Sequence, residues 1–170
     1  MLKALRKSGA RKRTARALEA SLVARAREPA FFAALNVPDT IDGRFDLVTL
    51  HAWLVLARLK EIGETQLAQG VVDAVFVGFD EALRDMGAGD MGMGRRLKAM
   101  ANAFYGRLSA YDAAGDAAQM AEALKRNVYR GAPGVDEAAQ RLANYVFSAR
   151  NSIAESDLPQ GVADFGALPG

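Results

Sequence analysis

The run Gly87-Ala-Gly-Asp-Met-Gly-Met-Gly-Arg-Arg-Leu-Lys98 is the part of this chain whose residue types suggest chemistry. Four glycines fall within eight residues, and a basic cluster of Arg95, Arg96 and Lys98 follows. Glycine lets a backbone approach a ligand closely, and basic side chains attract anions. Gly87 to Gly92 spells G-x-G-x-x-G, and Gly89 to Gly94 has P-loop spacing. Neither match has its context. A dinucleotide fingerprint follows a strand in a βαβ unit, whereas the segment before Gly87 reads as helix. A P-loop continues with Lys and Ser or Thr, where this chain has Arg95-Arg96. Each glycine inside a helix costs roughly 1 kcal/mol against alanine, so the sequence places the four outside one. Two readings remain: a glycine-rich connection with a solvated basic turn after it, or an edge that binds a partner.

Other catalytic chemistry is thinly represented. The chain has no cysteine, which removes thiol nucleophiles, thiolate metal sites and disulfides. His51 is the single histidine, so no multi-histidine metal site can form. It lies in an apolar run, the setting of a hydrogen-bonded core histidine more often than of a general base. No nucleophile–base pair is visible, and the sequence suggests neither enzyme activity nor a cofactor.

The elements that must position these residues are helices. At 170 residues the chain is long enough for one domain with a substantial core. From Gly94 onward, Leu97, Met100, Phe104, Leu108 and Tyr111 recur at three- and four-residue spacing. Arg95, Lys98, Asn102, Tyr105 and Ser109 follow the same spacing on another face. A segment at about 42–62 is apolar nearly all round and reads as a central buried helix. Asp42, Arg44 and Asp46 cluster at its start, where acids complement the helix dipole. Further helices are expected at about 14–28, 30–35, 65–86, 95–112, 116–130 and 135–154. The run Val71 to Val77 has strand-like composition, but its length and flanks favour helix. The expected fold is an all-α, single-domain bundle of six or seven helices. It divides into a flexible arm at 1–13, with residues 1–12 expected to be disordered, a helical domain at 14–155 and a tail at 156–170. Leu158 and Phe165 are candidate anchors for the tail.

Charge is distributed unevenly. Lys3, Arg6, Lys7, Arg11, Lys12, Arg13 and Arg16 are seven of the 22 basic residues, and no acid accompanies them in residues 1–16. The rest of the chain holds 15 bases against 20 acids. Such an arm suits RNA, a ribosome surface or anionic lipid, or serves only to solubilise the terminus. The longest apolar run without formal charge, 47–57, falls short of the roughly 20 residues that span a membrane. The sequence therefore suggests a cytoplasmic protein, peripheral on the inner membrane if membrane-associated, with a retained arm. It would be mitochondrial if the Arg-rich arm is a transit peptide.

Several segments together carry a family resemblance. They are Arg27-Glu-Pro-Ala-Phe-Phe32, Val37-Pro-Asp-Thr-Ile-Asp-Gly-Arg-Phe-Asp46 and the helix that follows. Phe79-Asp-Glu-Ala-Leu-Arg-Asp-Met-Gly87, the glycine run, Ala103-Phe-Tyr-Gly-Arg107 and Ala123-Leu-Lys-Arg-Asn-Val-Tyr-Arg-Gly131 complete the set. The chain resembles the ubiquinol–cytochrome c chaperone family over about residues 15–155. That resemblance implies an all-α bacterial assembly factor without catalytic residues. Mitochondrial members of the family bind newly made cytochrome b at the ribosome and help it enter ubiquinol–cytochrome c reductase, respiratory complex III. The partner expected here is newly made cytochrome b or a similar membrane protein, with ribosome and anionic membrane as further surfaces and no DNA. The residues expected to contact a client are Arg95, Arg96, Lys98, Tyr105 and Arg107, with Phe31 and Phe32 as apolar contacts. A peripheral RNA- or ribosome-binding module acting through the arm is the alternative reading.

Overall fold

The computed structural model describes residues 2–87 and 89–169, the side chains of residues 2–6 and of Asp90 excepted. Among these residues there are seven α-helices, one 3-10 turn and no strand. They are α1 (Leu2–Ala26), α2 (Pro29–Ala33), α3 (Ile41–Glu61), α4 (Thr65–Asp85), α5 (Asp90–Asp112), α6 (Ala117–Asn127) and α7 (Asp136–Ala154). The 3-10 turn covers Leu158–Gln160.

Helix α3 is the axis of the fold. Thr40 caps it, its hydroxyl oxygen accepting a hydrogen bond from Gly43 N at 3.0 Å. From Asp46 to Val55 every residue is buried. Helices α1, α4, α5 and α7 all pack against it, and α6 packs on α7 and α5. The strand-like run is part of α4, with Val71 and Val75 in the core and Val77 at the surface. Helices α1 and α4 run the same way. A Cβ on Gly70 would meet Ala15, and one on Gly78 would meet Glu19. The start of α1 therefore lies toward the opposite end of α4 from the glycine run, and α4 itself spans about 30 Å at 1.5 Å per residue.

Two segments differ from the sequence reading. Helix α1 begins at Leu2, not at about residue 14, so the backbone of the basic arm continues the helix. Helix α5 begins at Asp90, so Gly92 and Gly94 lie inside it, and only Gly87 and Gly89 lie outside. Alanine-rich and arginine-rich sequence is sufficient for the first extension. In the second, the low propensity of two glycines falls on the first turns of a 23-residue helix anchored by buried Met93 and Phe104.

Buried polar groups fix how the helices meet. Asp46 is wholly inaccessible, and it does more than complement the dipole of α3. Its Oδ1 lies 2.8 Å from Arg107 Nε of α5, too oblique for a hydrogen bond, and its Oδ2 accepts one from Arg130 Nη2 at 3.2 Å. Arg130 has φ +53° and also approaches Asp42 at 3.5 Å. Burial pushes the Asp46 carboxyl up to about 6, while Arg107 and Arg130 pull it down. His51 is also wholly buried. Its Nδ1 is 2.8 Å from Leu47 O and its Nε2 is 2.8 Å from Tyr145 Oη, which in turn accepts from Arg25 Nε at 3.0 Å. Leu47 O can only accept, so Nδ1 carries the proton and Nε2 receives the Tyr145 hydroxyl. Burial pushes the imidazole down to about 4. His51 is thus the satisfied core histidine that its surroundings indicate.

The glycines give opposite expectations. A Cβ on Gly43 would lie 1.9 Å from Pro38 O, whereas one on Gly106, in mid-α5, meets nothing within 4 Å. Gly43→Ala should therefore destabilise the fold by more than about 1 kcal/mol through strain, and Gly106→Ala should stabilise it by up to about 1 kcal/mol. Urea denaturation of both variants checks the signs.

The two titrating groups also oppose one another. Folded His51 stays neutral while the unfolded chain takes up a proton below about 6.5. Its contribution is present above that pH and is lost as pH falls toward 4, by ~3 kcal/mol in full. The Asp46 contribution is present below 3.8 and is lost as pH rises through about 6. Asp46→Asn removes the second slope and leaves the first. Stability of that variant should fall more steeply than that of the native chain between pH 6.5 and pH 4. Denaturation midpoints at half-unit pH steps measure this, and parallel curves would show that Asp46 does not titrate as stated.

Candidate functional site: the outer face of the fifth helix

Helix α5 presents two distinct faces. Met93, Phe104 and Tyr111 are buried, and Leu97, Met100 and Leu108 pack half-buried against the core. Arg95, Arg96, Lys98, Asn102, Tyr105 and Ser109 are exposed. The inner row is held by aromatic contacts. Phe104 meets Phe76 edge-on at 5.3 Å, and Phe79 lies 6.4 Å from it. Tyr105 is 53% exposed, yet its ring lies parallel to Phe76 at 6.3 Å and edge-on to Phe104 at 5.3 Å. One side of the ring is therefore supported by the α4–α5 seam, and the rest is presented to solvent. A ring fixed in this way offers contact area at low entropic cost.

The glycine run forms the near end of this face. Gly87 ends α4 with φ +76°, and Gly89 caps α5 in an extended conformation. Added Cβ atoms on Gly89, Gly92 or Gly94 would meet nothing within 4 Å. No close approach within the chain requires these three glycines, and they leave the backbone open to solvent. Two methionines flank it, Met86 at 48% exposure and Met91 fully exposed. Unbranched thioether side chains adapt to irregular apolar partners. Arg95, Arg96 and Lys98 make no ion pair among the described residues. By contrast, Arg44, Arg58, Arg84, Arg107, Lys125, Arg130 and Arg150 all do.

Three residues expected at this site are placed elsewhere. Arg107 is committed to Asp46. Its Nη1 also donates to Ala103 O at 3.2 Å, and its guanidinium sits 5.3 Å over the Phe45 ring. It clamps α5 to α3 and is not a free cation. Phe31 is fully buried, edge-on to His51 and Tyr145 at 5.2 and 5.1 Å, so it is core and not a surface contact. Phe32 is half-buried against the same core. Of the arm, Lys7, Lys12, Arg13 and Arg16 are exposed and Arg11 is half-buried, none of them in an ion pair among the described residues. The side chains of Lys3 and Arg6 lie outside those residues.

Sequence reading also missed the long-range polar pairings. The Asp46–Arg107–Arg130 cluster joins residues 84 positions apart, and Arg25 reaches the far end of the chain. The available signal was a carboxylate between Phe45 and Leu47, where the apolar stretch of α3 begins.

Among the described residues no three His, Cys, Asp or Glu side chains are grouped to hold a metal ion. A cleft of about 130 Å³ lies beside Trp53, Arg58, Glu61 and Arg150. A groove of about 400 Å³ between α5 and α6 is lined mainly by alanines. Neither brings a nucleophile to a base. No described helix is long and apolar enough to cross a membrane.

Comparison with known proteins agrees with the fold. Over 99% of both chains, the structure superposes on the crystal structure of the Cbp3 homolog from Brucella abortus with a TM-score of 0.82 and 36% identity. Ubiquinol-cytochrome c reductase complex assembly factor 1 of Mus musculus is 29% identical over 84 residues, 48% of this chain. The Xenopus laevis protein of the same name is 26% identical over 102 residues, 58% of this chain. The matched segments span 28% and 51% of those two proteins' own lengths. The family model described as ubiquinol-cytochrome C chaperone matches residues 33–161. All seven helices except α1 and the first residues of α2 fall within or overlap that span, and the chain belongs to the ubiquinol–cytochrome c chaperone family.

Proposed function

We propose that this protein is a non-catalytic chaperone in the assembly of ubiquinol–cytochrome c reductase, and that its client is cytochrome b or a similar membrane subunit. Family membership supports the first part. The observation that carries the second is the outer face of α5. There an exposed, supported Tyr105, two exposed methionines and three bases in no ion pair among the described residues share one helix and its approach. An apolar client segment emerging from or entering a membrane needs apolar contact, and the anionic surroundings of that segment favour a basic rim. The mechanism is binding and release, without turnover. The reading as an RNA- or ribosome-binding module draws no support from the relatives described above, which are named as assembly factors.

The α1 arm has a separate part in this proposal. Its bases Lys7, Arg11, Lys12, Arg13 and Arg16, in no ion pair among the described residues, lie toward the end of α4 remote from the glycine run. Attachment to an anionic membrane surface at that end leaves the α5 face free for a client. Each base near such a surface is worth about 1 kcal/mol, fading over a Debye length.

Arg95→Glu with Lys98→Glu should leave the melting temperature nearly unchanged, because exposed substitutions usually move stability by less than about 0.5 kcal/mol. The double variant should recover less cytochrome b from detergent-solubilised membranes and support lower complex III levels. Tyr105→Ala should behave likewise, whereas Phe104→Ala should cost about 3–5 kcal/mol of stability. Normal recovery and normal complex III with the double variant would remove this face from the mechanism.

Deleting residues 1–13 leaves a chain that starts at Thr14, next to Ala15, the first buried residue of α1 among those described. That protein should keep its melting temperature and sediment less with phosphatidylserine-containing vesicles at low salt. Unchanged vesicle binding, or lost binding to ribosomes alone, would reject the membrane role of the arm.

A further inference from the structure

The segment after α7 is held by an unusual set of contacts. Leu158 is fully buried, and Gly161, with φ +83°, lies against α1. Val162 N donates to Asp157 O at 3.1 Å. Beyond Val162 no main-chain to main-chain hydrogen bond holds the tail among the described residues. Side chains hold it instead. Ser21 Oγ donates to Ala163 O at 3.3 Å, and Asp164 N donates to Ser156 Oγ at 2.9 Å. Arg25 Nη2 donates to Gly166 O at 2.9 Å and to Ala167 O at 2.7 Å. The one large side chain buried from this stretch is Phe165, whose ring meets His51 edge-on at 5.3 Å. Phe31 and Tyr145 flank that imidazole at 5.2 and 5.7 Å.

These contacts are those of a peptide in a recognition groove. The Arg25 fork reads carbonyl oxygens, which any extended chain offers. The aromatic pocket reads one ring. Asp164, Ala167 and Leu168 are exposed, so no pocket reads their side chains. We propose that residues 163–169 are a displaceable latch, and that their seat on Arg25, Ser21 and the His51 ring accepts an extended partner segment bearing a phenylalanine-sized side chain. The site is separate from the α5 face and does not depend on the role of that face. The intact tail competes through its tether, at an effective concentration of order millimolar, so a free peptide gains access only as the closed fraction falls.

Phe165→Ala weakens the latch and leaves every seat residue in place. The probe is a blocked octapeptide with the sequence of residues 162–169, titrated against both full-length chains by isothermal calorimetry. It should bind the Phe165→Ala chain at least about tenfold more tightly than the native chain, and the same peptide with alanine in place of phenylalanine should not bind. Concurrently, the His51 ring protons should shift in NMR spectra on opening and return on peptide addition. Equal affinity for the two chains, binding indifferent to the peptide ring, or no binding with the tail amides unprotected would each overturn the proposal. If Phe165→Ala does not fold, hydrogen exchange of the native chain decides. Asp164 and Gly166 amides should exchange at least about a hundredfold faster than buried amides of α7, through local opening. Exchange only with global unfolding would show that the tail is part of the core and not a latch.

Discussion

A helix that is apolar around nearly its whole circumference is stable in water only when other helices enclose it. Helix α3 sets that requirement, and the arrangement of the bundle follows from meeting it. Helices α1, α4, α5 and α7 pack along it. Burial alone does not say which side of α3 each neighbour takes, because apolar contact is non-directional. The polar exceptions supply direction. Asp46 must meet cations or pay its desolvation, and Arg107 on α5 with Arg130 after α6 places both elements on one side. His51 must find two partners, and Tyr145 brings α7 to its Nε2 while Arg25 ties α1 to the same point.

Much of this was legible in the sequence, for a physical reason. Three- and four-residue periodicity is a property of one helix, so α3, α4, α6 and α7 could each be read locally, as could the division of α5 into two rows. The single-domain all-α fold follows from those segments. Pairings between distant residues leave no periodic trace. Asp46 looked like an N-terminal helix acid because its sequence neighbours explain it equally well, and Arg107 looked like part of a basic face because it follows Tyr105. Phe31 was misplaced for a similar reason. A Phe-Phe pair after Pro29 shows that one ring turns inward without saying which, and the wholly buried one is Phe31. The glycines were read by propensity, which treats residues one at a time. Helix formation is cooperative, and the packed length of α5 carries Gly92 and Gly94 along with it.

The contrast within α5 bears on the client-binding role proposed for its outer face. Its inner row is fixed by an aromatic seam, while its first turns consist of glycine, methionine and bases in no ion pair among the described residues, over open backbone. In the proposed role, a surface that meets segments not yet folded benefits from such a gradient. Rigid support keeps the site from collapsing, and adaptable side chains lower the cost of fitting partners whose shape is not fixed in advance. The same division recurs at the other end of the chain. The His51–Tyr145 pair is buried and tied to the half-buried Arg25, but the tail held there contributes one ring and a few carbonyls. In both places, a rigid interior presents a small number of weak, general contacts at its edge. Weak general contacts are also what release requires, since a chaperone that held an apolar segment as firmly as its own core holds Phe104 would not hand that segment on.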